Sequence, residues 1–218
     1  MKLRWLLFIA FIIFTVGSVY SQQELIIGSF LQGNLASDKE IWYSVTAAQN
    51  GLLVVQTDGD TDTFLKAYDA GMNLIAENDD GPNELNASII LSVKRGNTYF
   101  FCLTGYDGII SGLYSISASY LPVTQLNAGS SCSGNITDWY YNFFIFTASR
   151  SGTLTIETSG STDTYLYLYN EDLQFLDYND DGAGFPNDRI VIEVISGRTY
   201  YIELGAYEFG PYTVSAYL

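Results

Sequence analysis

The feature that most constrains the fold is an internal repeat. The turn sequence "NDDG" occurs at residues 78–81 and again at 179–182, a spacing of 101 residues. At this spacing the two halves match without a gap from Gly33 to Tyr106, after which the second copy is three residues shorter. A period of this length is too long for a solenoid repeat and has the size of a small domain.

The repeat predicts two tandem domains, at residues 24–121 and 125–218. The joint between them falls near Leu121-Pro122-Val123, where a proline interrupts strand pairing. Each copy holds about eight short runs rich in Tyr, Phe, Ile, Val and Thr, separated by Gly, Asn and Asp, which is typical of β-strands. We therefore expect an all-β protein of two antiparallel, jelly-roll-like β-sandwiches.

The run "TYFFCLTG" at 98–105 indicates which side chains point inward. Its residues alternate, so Tyr99, Phe101 and Leu103 share one face while Cys102 lies on the other. In the second copy Glu203 takes the place of Cys102. A carboxylate at this position predicts that the face carrying Cys102 points outward.

The first 21 residues have the layout of a secretory signal peptide. Lys2 and Arg4 precede an apolar run, and Val19 and Ser21 occupy the positions preferred before a cut after Ser21. An uncleaved N-terminal anchor is the alternative. We expect export, to the extracellular space, the periplasm or the cell surface.

The charge and the cysteine and histidine content exclude several functions. Without Lys2 and Arg4, 7 Lys and Arg stand against 24 Asp and Glu, a net charge of −17 that disfavours nucleic acid and anionic membranes. The chain has no histidine, which excludes Ser-His-Asp and Cys-His catalysis. A disulfide between Cys102 and Cys132 would pin the copies together, and two free thiols are the alternative.

The order of several motifs resembles the bacterial pre-peptidase C-terminal domain, a β-sandwich appended to secreted peptidases. These motifs are "DTFLKAYDAGMNLIAENDDG", "SIILSVKRGNTYFFCLTGY" and "GLYSISASY" in the first copy, and "DTYLYLYNEDLQFLDYNDDG", "RIVIEVISGRTYYIELGAY" and "GPYTVSAYL" in the second. The resemblance implies two tandem family domains that act as accessory modules. Because no catalytic domain accompanies them here, it implies no protease activity.

The acidic turns are candidate metal sites. A two-residue hairpin loop at Ala70-Gly71 would place Asp62 directly opposite Asp79, and the same register in the second copy would place Asp163 opposite Asp180. Calcium takes six to eight oxygen ligands. The candidate ligands are Asp62, Asp79, Asp80, Asp163, Asp180 and Asp181. Turn formation by Asn and Asp without any ion is the alternative.

The run "YLYLY" predicts a ligand surface. Tyr165, Tyr167 and Tyr169 share one face of a strand, while the intervening leucines point into the core. Exposed aromatic side chains stack on sugar rings or on partner proteins. Packing among neighbouring tyrosines, without any ligand, is the alternative.

These observations predict a secreted, non-catalytic binding or accessory protein. Its expected partner is an extracellular protein or polysaccharide polymer, or a separate secreted enzyme, with Ca²⁺ as the candidate cofactor. The alternatives are a carbohydrate-binding protein that uses its tyrosines and a carboxylate-based hydrolase.

Overall fold

The alternation of apolar and polar residues produces strands in both copies. The computed structural model describes residues 22–81, 85–137 and 142–218, so the predicted signal peptide at 1–21 lies outside the described residues. Within the described parts of the first copy there are nine strands: β1 (Gln22–Glu24), β2 (Phe30–Leu35), β3 (Ile41–Thr46), β4 (Gly51–Asp58), β5 (Thr63–Tyr68), β6 (Leu74–Asn78), β7 (Ser88–Val93), β8 (Thr98–Gly105) and β9 (Gly112–Tyr120).

The second copy repeats this series. Its described strands are β10 (Val123–Gln125), β11 (Ser130–Ile136), β12 (Asn142–Thr147), β13 (Gly152–Gly160), β14 (Thr164–Asn170), β15 (Phe175–Asn179), β16 (Arg189–Val194), β17 (Thr199–Ala206) and β18 (Gly210–Tyr217). A short 3-10 turn at Tyr106–Gly108 follows β8. In the described ranges no helix is long and apolar enough to cross a membrane.

Each copy consists of a five-stranded and a four-stranded sheet. The first has the orders β1-β3-β8-β5-β6 and β2-β9-β4-β7, and the second has β10-β12-β17-β14-β15 and β11-β18-β13-β16. We call them the first and the second sandwich. The predicted all-β sandwich fold is confirmed. The pairing is antiparallel except at the short strands β1 and β10, which run parallel to β3 and β12.

Apolar side chains from both sheets fill the interior of each sandwich. Leu65, Phe101 and Ile116 are fully buried in the first sandwich, as Leu166 and Ile202 are in the second. Complete burial of a Leu, Ile or Phe side chain contributes about 1.5–3 kcal/mol. The alternation in β8 therefore agrees with the prediction that Phe101 faces the core.

The two cores differ at one buried polar contact. The hydroxyls of Tyr43 and Tyr114 lie 2.5 Å apart and form a hydrogen bond inside the first sandwich. The corresponding residues in the second sandwich are Phe144 and Tyr212, whose rings meet edge to face with centroids 6.3 Å apart. Aromatic packing thus takes the place of a hydrogen bond.

The joint between the sandwiches is bonded to both of them. The N–H of Leu121 donates to the carbonyl of Leu52 at 2.9 Å, and two residues later the chain enters β10, which pairs with β12. Leu52, Phe143 and Tyr201 form a buried apolar cluster, and partly buried side chains complete it: Ile90, Leu121, Val123, Ile145, Tyr169 and Leu173. The cluster joins β4 of the first sandwich to β12 and β17 of the second.

Candidate functional site

The hairpins that carry the acidic turns have a register different from the predicted one. Lys66 pairs with Glu77 and Tyr167 pairs with Tyr178, and a bulge follows in each case. Asp62 therefore does not lie directly opposite Asp79, and Asp163 does not lie directly opposite Asp180. The prediction of these two cross-strand pairs is wrong.

The hairpin loops explain the difference in register. In the first sandwich the Asp69 carboxylate accepts the backbone N–H groups of Gly71 and Asn73, each at 2.8 Å. In the second, Asn170 Oδ1 accepts the N–H groups of Asp172 and Gln174. These side chains stabilise a loop longer than two residues, as Asp and Asn side chains often do in turns.

The second acidic turn nevertheless brings its carboxylates together. One ligand oxygen from each of Asp163, Asp180 and Asp181 lies within 4.8 Å of the other two. Asp163 precedes β14, and the other two follow β15. We call these three residues the acidic cluster. They are the three residues predicted for a metal site in this copy.

A fourth, fully buried carboxylate lies next to the acidic cluster. Asp188 Oδ1 accepts the N–H of Asp181 at 3.1 Å, and its Oδ2 accepts the hydroxyls of Thr158 and Thr164 at 2.9 and 2.6 Å. Asp181 has a φ of 73°, a left-handed conformation that Asp tolerates better than most residues. Asp188 thus fixes the turn that carries Asp180 and Asp181.

Sequence reasoning missed Asp188. The signal for it was the repeat itself, since Ala87 occupies the same position in the first copy and is also fully buried. A carboxylate that replaces a buried alanine needs hydrogen-bond partners. The two threonine hydroxyls and one backbone N–H supply them here.

The first acidic turn is built differently. Asn78 Oδ1 accepts the N–H of Asp80 at 2.6 Å, whereas its counterpart Asn179 accepts the N–H groups of Gly182 and Arg189. Among the residues that the structure describes, Asp62, Asp79 and Asp80 do not form a group as tight as the acidic cluster. The predicted ligands converge in the second sandwich only.

Burial and negative neighbours raise the pKa of one carboxyl beside each acidic turn. The pKa of Asp163 is raised by burial first and then by Asp181, Asp180 and Glu208. The pKa of Asp62 is raised by burial and then by Asp80, Asp79 and Asp107. Each site therefore favours a bound proton or another cation.

Aromatic side chains cover the outer face of the second sandwich beside the acidic cluster. We call this set the tyrosine face: Tyr165, Tyr167, Tyr169, Phe175, Tyr178 and Tyr207. The closest ring centroids are those of Tyr167 and Tyr178 at 4.6 Å and of Tyr165 and Tyr207 at 5.0 Å. As predicted, Leu166 and Leu168 point into the core.

The tyrosine face and the acidic cluster are joined by hydrogen bonds. The hydroxyls of Tyr178 and Tyr207 both donate to Asp180 Oδ2, at 3.3 and 3.2 Å. The neighbouring Tyr207 hydroxyl, partial burial and the charge of Asp180 raise the pKa of Tyr178 above its ordinary value. Tyr169 donates to Glu203 at 2.9 Å. Sequence reasoning identified three tyrosines and missed Phe175, Tyr178 and Tyr207.

A cleft opens at the end of the tyrosine face. It has a volume of 370 Å³ and is lined by Ser161, Asp163, Phe185, Pro186, Tyr207 and Glu208. Phe185 is 74% exposed and Tyr207 is 55% exposed. The cleft therefore combines apolar walls with two carboxylates.

Of the two alternatives for the cysteines, the structure shows free thiols at both Cys102 and Cys132. Cys102 lies on the outer face of β8 as predicted, but it is buried, opposite Trp42 on β3. Burial, followed by the charge of Glu40, raises the pKa of its thiol to about 12. Cys132 lies in the second sandwich and packs against its core, where its Sγ lies 3.7 Å from the carbonyl of Gln125.

Comparison with known proteins agrees with the family resemblance in the second copy. The profile of the bacterial pre-peptidase C-terminal domain family matches residues 140–206. This match covers less than half of the chain, and the assignment of the first copy to the family stays a prediction. No curated protein is significantly similar in sequence.

Solved structures with similar folds include single small domains. The pre-peptidase C-terminal domain of collagenase from Bacillus anthracis is 17% identical, with 44% of this chain and 94% of that chain covered and a TM-score of 0.38. PliG of Aeromonas hydrophila, a periplasmic inhibitor of g-type lysozyme, is 14% identical, with 45% and 99% covered and a TM-score of 0.31.

Proposed function

We propose that the chain is a secreted, non-catalytic binding module that holds an extracellular polymer on the tyrosine face. The observation that carries this proposal is the continuous aromatic surface on β14, β15 and the segment after β17. Tyr and Phe rings offer large, rigid contact areas to sugar rings and to protein segments. The family match in the second sandwich supports an accessory role.

The first sandwich supplies a comparison for this surface. Lys66 and Glu77 occupy the positions of Tyr167 and Tyr178, so the aromatic surface is interrupted there. Stacking of a ligand on the face depends on this continuity. We therefore assign polymer binding to the second sandwich.

The double variant Tyr167→Lys with Tyr178→Glu, which copies the first sandwich, tests the proposal. We expect it to lose at least about tenfold in affinity, because removal of a stacking ring costs about 1–3 kcal/mol. Retention on insoluble polysaccharides and on fibrous proteins measures binding. Tyr217→Lys is the control, since Tyr217 is an exposed tyrosine on β18, in the other sheet.

The outcomes separate the alternatives. Equal retention of the wild type and the double variant would overturn the proposal. Retention on polysaccharides alone would favour the carbohydrate-binding alternative. Release of soluble fragments that stops in an Asp163→Asn variant would favour the hydrolase.

The proposal includes Ca²⁺ as a ligand of the acidic cluster. Three carboxylates in one corner supply hard oxygen ligands, and the charges of Asp181 and Asp180 raise the pKa of Asp163. We expect millimolar calcium to raise the melting temperature relative to chelator, because a cation that binds only the folded state stabilises it by mass action.

Matched variants locate the calcium effect. Asp163→Asn is expected to abolish the shift in melting temperature, whereas Asp62→Asn, at the equivalent position in the first sandwich, is expected to preserve it. Equal shifts in both variants would contradict the assignment to the acidic cluster. An unchanged melting temperature in the wild type would leave turn formation as the sole role of these residues.

A further inference from the structure

We propose that the cleft formed by Phe185, Pro186, Tyr207, Asp163 and Glu208 binds a lysine or arginine side chain from an extracellular protein. This inference rests on the proposed binding function and specifies its partner as a basic protein segment. Its site is the cleft beside the acidic cluster, which shares Tyr207 with the tyrosine face but does not include Tyr167 or Tyr178.

The walls of the cleft suit a long side chain with a charged end. Phe185, Pro186 and Tyr207 provide apolar surface for the methylene groups, and Asp163 and Glu208 provide acceptors for the cation. Lysine and arginine bury their aliphatic stems on apolar surface and keep their charged groups at polar sites. A cation near the face of a Tyr or Phe ring gains about 0.5–1 kcal/mol when exposed and more when desolvated.

Among the residues that the structure describes, no ion pair neutralises the carboxylates of the cleft. In the described ranges the two ion pairs are Arg189–Glu157 and Arg198–Glu171, and neither involves a carboxylate of the cleft. One oxygen of Asp163 lies within 4.8 Å of oxygens of Asp180 and Asp181. Glu208 Oε1 accepts the N–H of Asp163 at 3.4 Å, so four carboxylates lie close together here. A basic partner is therefore attracted to this corner of a strongly acidic protein.

The first sandwich has a cation beside an aromatic ring on the outer face of β5. The Nζ of Lys66 stands 5.4 Å from the centroid of the Phe64 ring. In the second sandwich Tyr165 replaces Phe64 and Tyr167 replaces Lys66, so the internal cation is absent. Tyr165 instead packs against Tyr207, at the edge of the cleft. In the second sandwich the ring of Tyr167 takes the place of this ammonium group beside Tyr165, with centroids 6.0 Å apart.

The test uses hexa-arginine and a neutral peptide of six citrullines, which has nearly the same shape. Binding to the chain is measured by fluorescence anisotropy in chelator, so that calcium does not compete for Asp163. We expect hexa-arginine to bind and the citrulline peptide to bind at least about tenfold more weakly. Equal binding of the two peptides, or binding of neither, would overturn the inference.

Surface variants place the binding in the cleft. Phe185→Ala and Glu208→Gln are each expected to weaken hexa-arginine binding about three- to tenfold. Asp107→Asn removes the same charge at the equivalent position of the first sandwich and is expected to have less than a twofold effect. Equal losses from Glu208→Gln and Asp107→Asn would reveal general charge attraction and overturn the inference.

The polymer assay keeps the two proposals distinguishable. Phe185 and Glu208 lie outside the tyrosine face, and their exposure makes these variants compatible with folding, which melting curves verify. If polymer retention persists while hexa-arginine does not bind, the inference fails and the proposed function stands. If the Tyr167→Lys, Tyr178→Glu variant retains the polymer, the proposed function fails by its own test.

Discussion

The two sandwiches have similar interiors, apart from the positions of Tyr43 and Ala87, and they differ at the tyrosine face. Each inward-facing residue on β5, such as Leu65, has an equally buried counterpart on β14, such as Leu166. On the outer face of the same strands Lys66 corresponds to Tyr167, a change from a charged to an aromatic side chain. A sandwich tolerates such changes because packing constrains only the side chains between its sheets. Divergence of function could therefore proceed on the outer face while the fold stayed constant.

The acidic turns show how one internal substitution reaches the surface. With Asp188 in place of Ala87, a carboxylate beneath the turn accepts the N–H of Asp181. In the first turn, where Ala87 takes its place, the described contact is the N–H of Asp80 donating to Asn78 Oδ1. The same "NDDG" letters thus form a tight acidic cluster only where an additional buried acceptor holds them.

The largest expected effect tests whether the two interiors are equivalent. Leu65→Ala and Leu166→Ala should each lower the free energy of unfolding by about 2–5 kcal/mol, because each removes a fully buried side chain and leaves a cavity. Chemical denaturation, with calorimetry as a second method, measures the loss of unfolding free energy in each variant. A loss in one variant less than half of that in the other would contradict the equivalence of the cores.

A smaller effect tests the buried tyrosine pair. Tyr43→Phe converts this contact of the first sandwich into the Phe144–Tyr212 arrangement of the second and removes the hydrogen bond between Tyr43 and Tyr114. We expect a loss of about 1 kcal/mol, the usual net contribution of one hydrogen bond. Denaturant titration of the variant measures it, and Phe144→Ala provides a large-cavity reference.

The smallest expected effect at neutral pH concerns Asp188. Burial raises its pKa, although hydrogen bonds from Thr164, Thr158 and the backbone of Asp181 oppose the shift. A carboxyl with a raised pKa in the folded state contributes stability below its unfolded pKa, and that contribution is lost as the pH rises through the folded value.

In the Asp188→Asn variant an amide nitrogen replaces one of the two acceptor oxygens, so the variant should melt below the wild type. This deficit should be largest near about pH 4, close to the ordinary pKa of Asp, and should shrink toward about pH 8, because the wild type loses the contribution of Asp188 as the pH rises. Melting curves across this range measure the trend. A difference that stays constant with pH would show that Asp188 does not titrate differently on folding. Ala87, which carries no charge, makes the first sandwich the internal reference.

Sequence periodicity predicted the faces of the strands well. The alternation in "YLYLY" separates Leu166 and Leu168, which are buried, from Tyr165, Tyr167 and Tyr169 on the outer face. This succeeds because a strand has a fixed period of two, which the pattern of apolar residues reports directly. The position of Cys102 was also predicted on the correct face, but its burial depends on neighbours such as Trp42 from another strand.

The register of the hairpins could not be predicted in the same way. It depends on the loop geometry, and here the side chains of Asp69 and Asn170 stabilise a longer loop followed by a bulge. The predicted convergence of carboxylates is found in the second sandwich although the predicted register was wrong. The reason is that Asp163 and the turn after β15 lie at the same end of the sheet. Asp188 contributes from a more distant part of the chain, which local spacing does not report.

The segment that joins the two sandwiches near Leu121 is hydrogen-bonded to both of them. The N–H of Leu121 donates to Leu52 on β4, and β10 pairs with β12. Leu52, Phe143 and Tyr201 pack together between the two sandwiches. The orientation of the tyrosine face is consequently fixed relative to the first sandwich. A ligand bound by the second sandwich would therefore keep a constant orientation relative to the first sandwich.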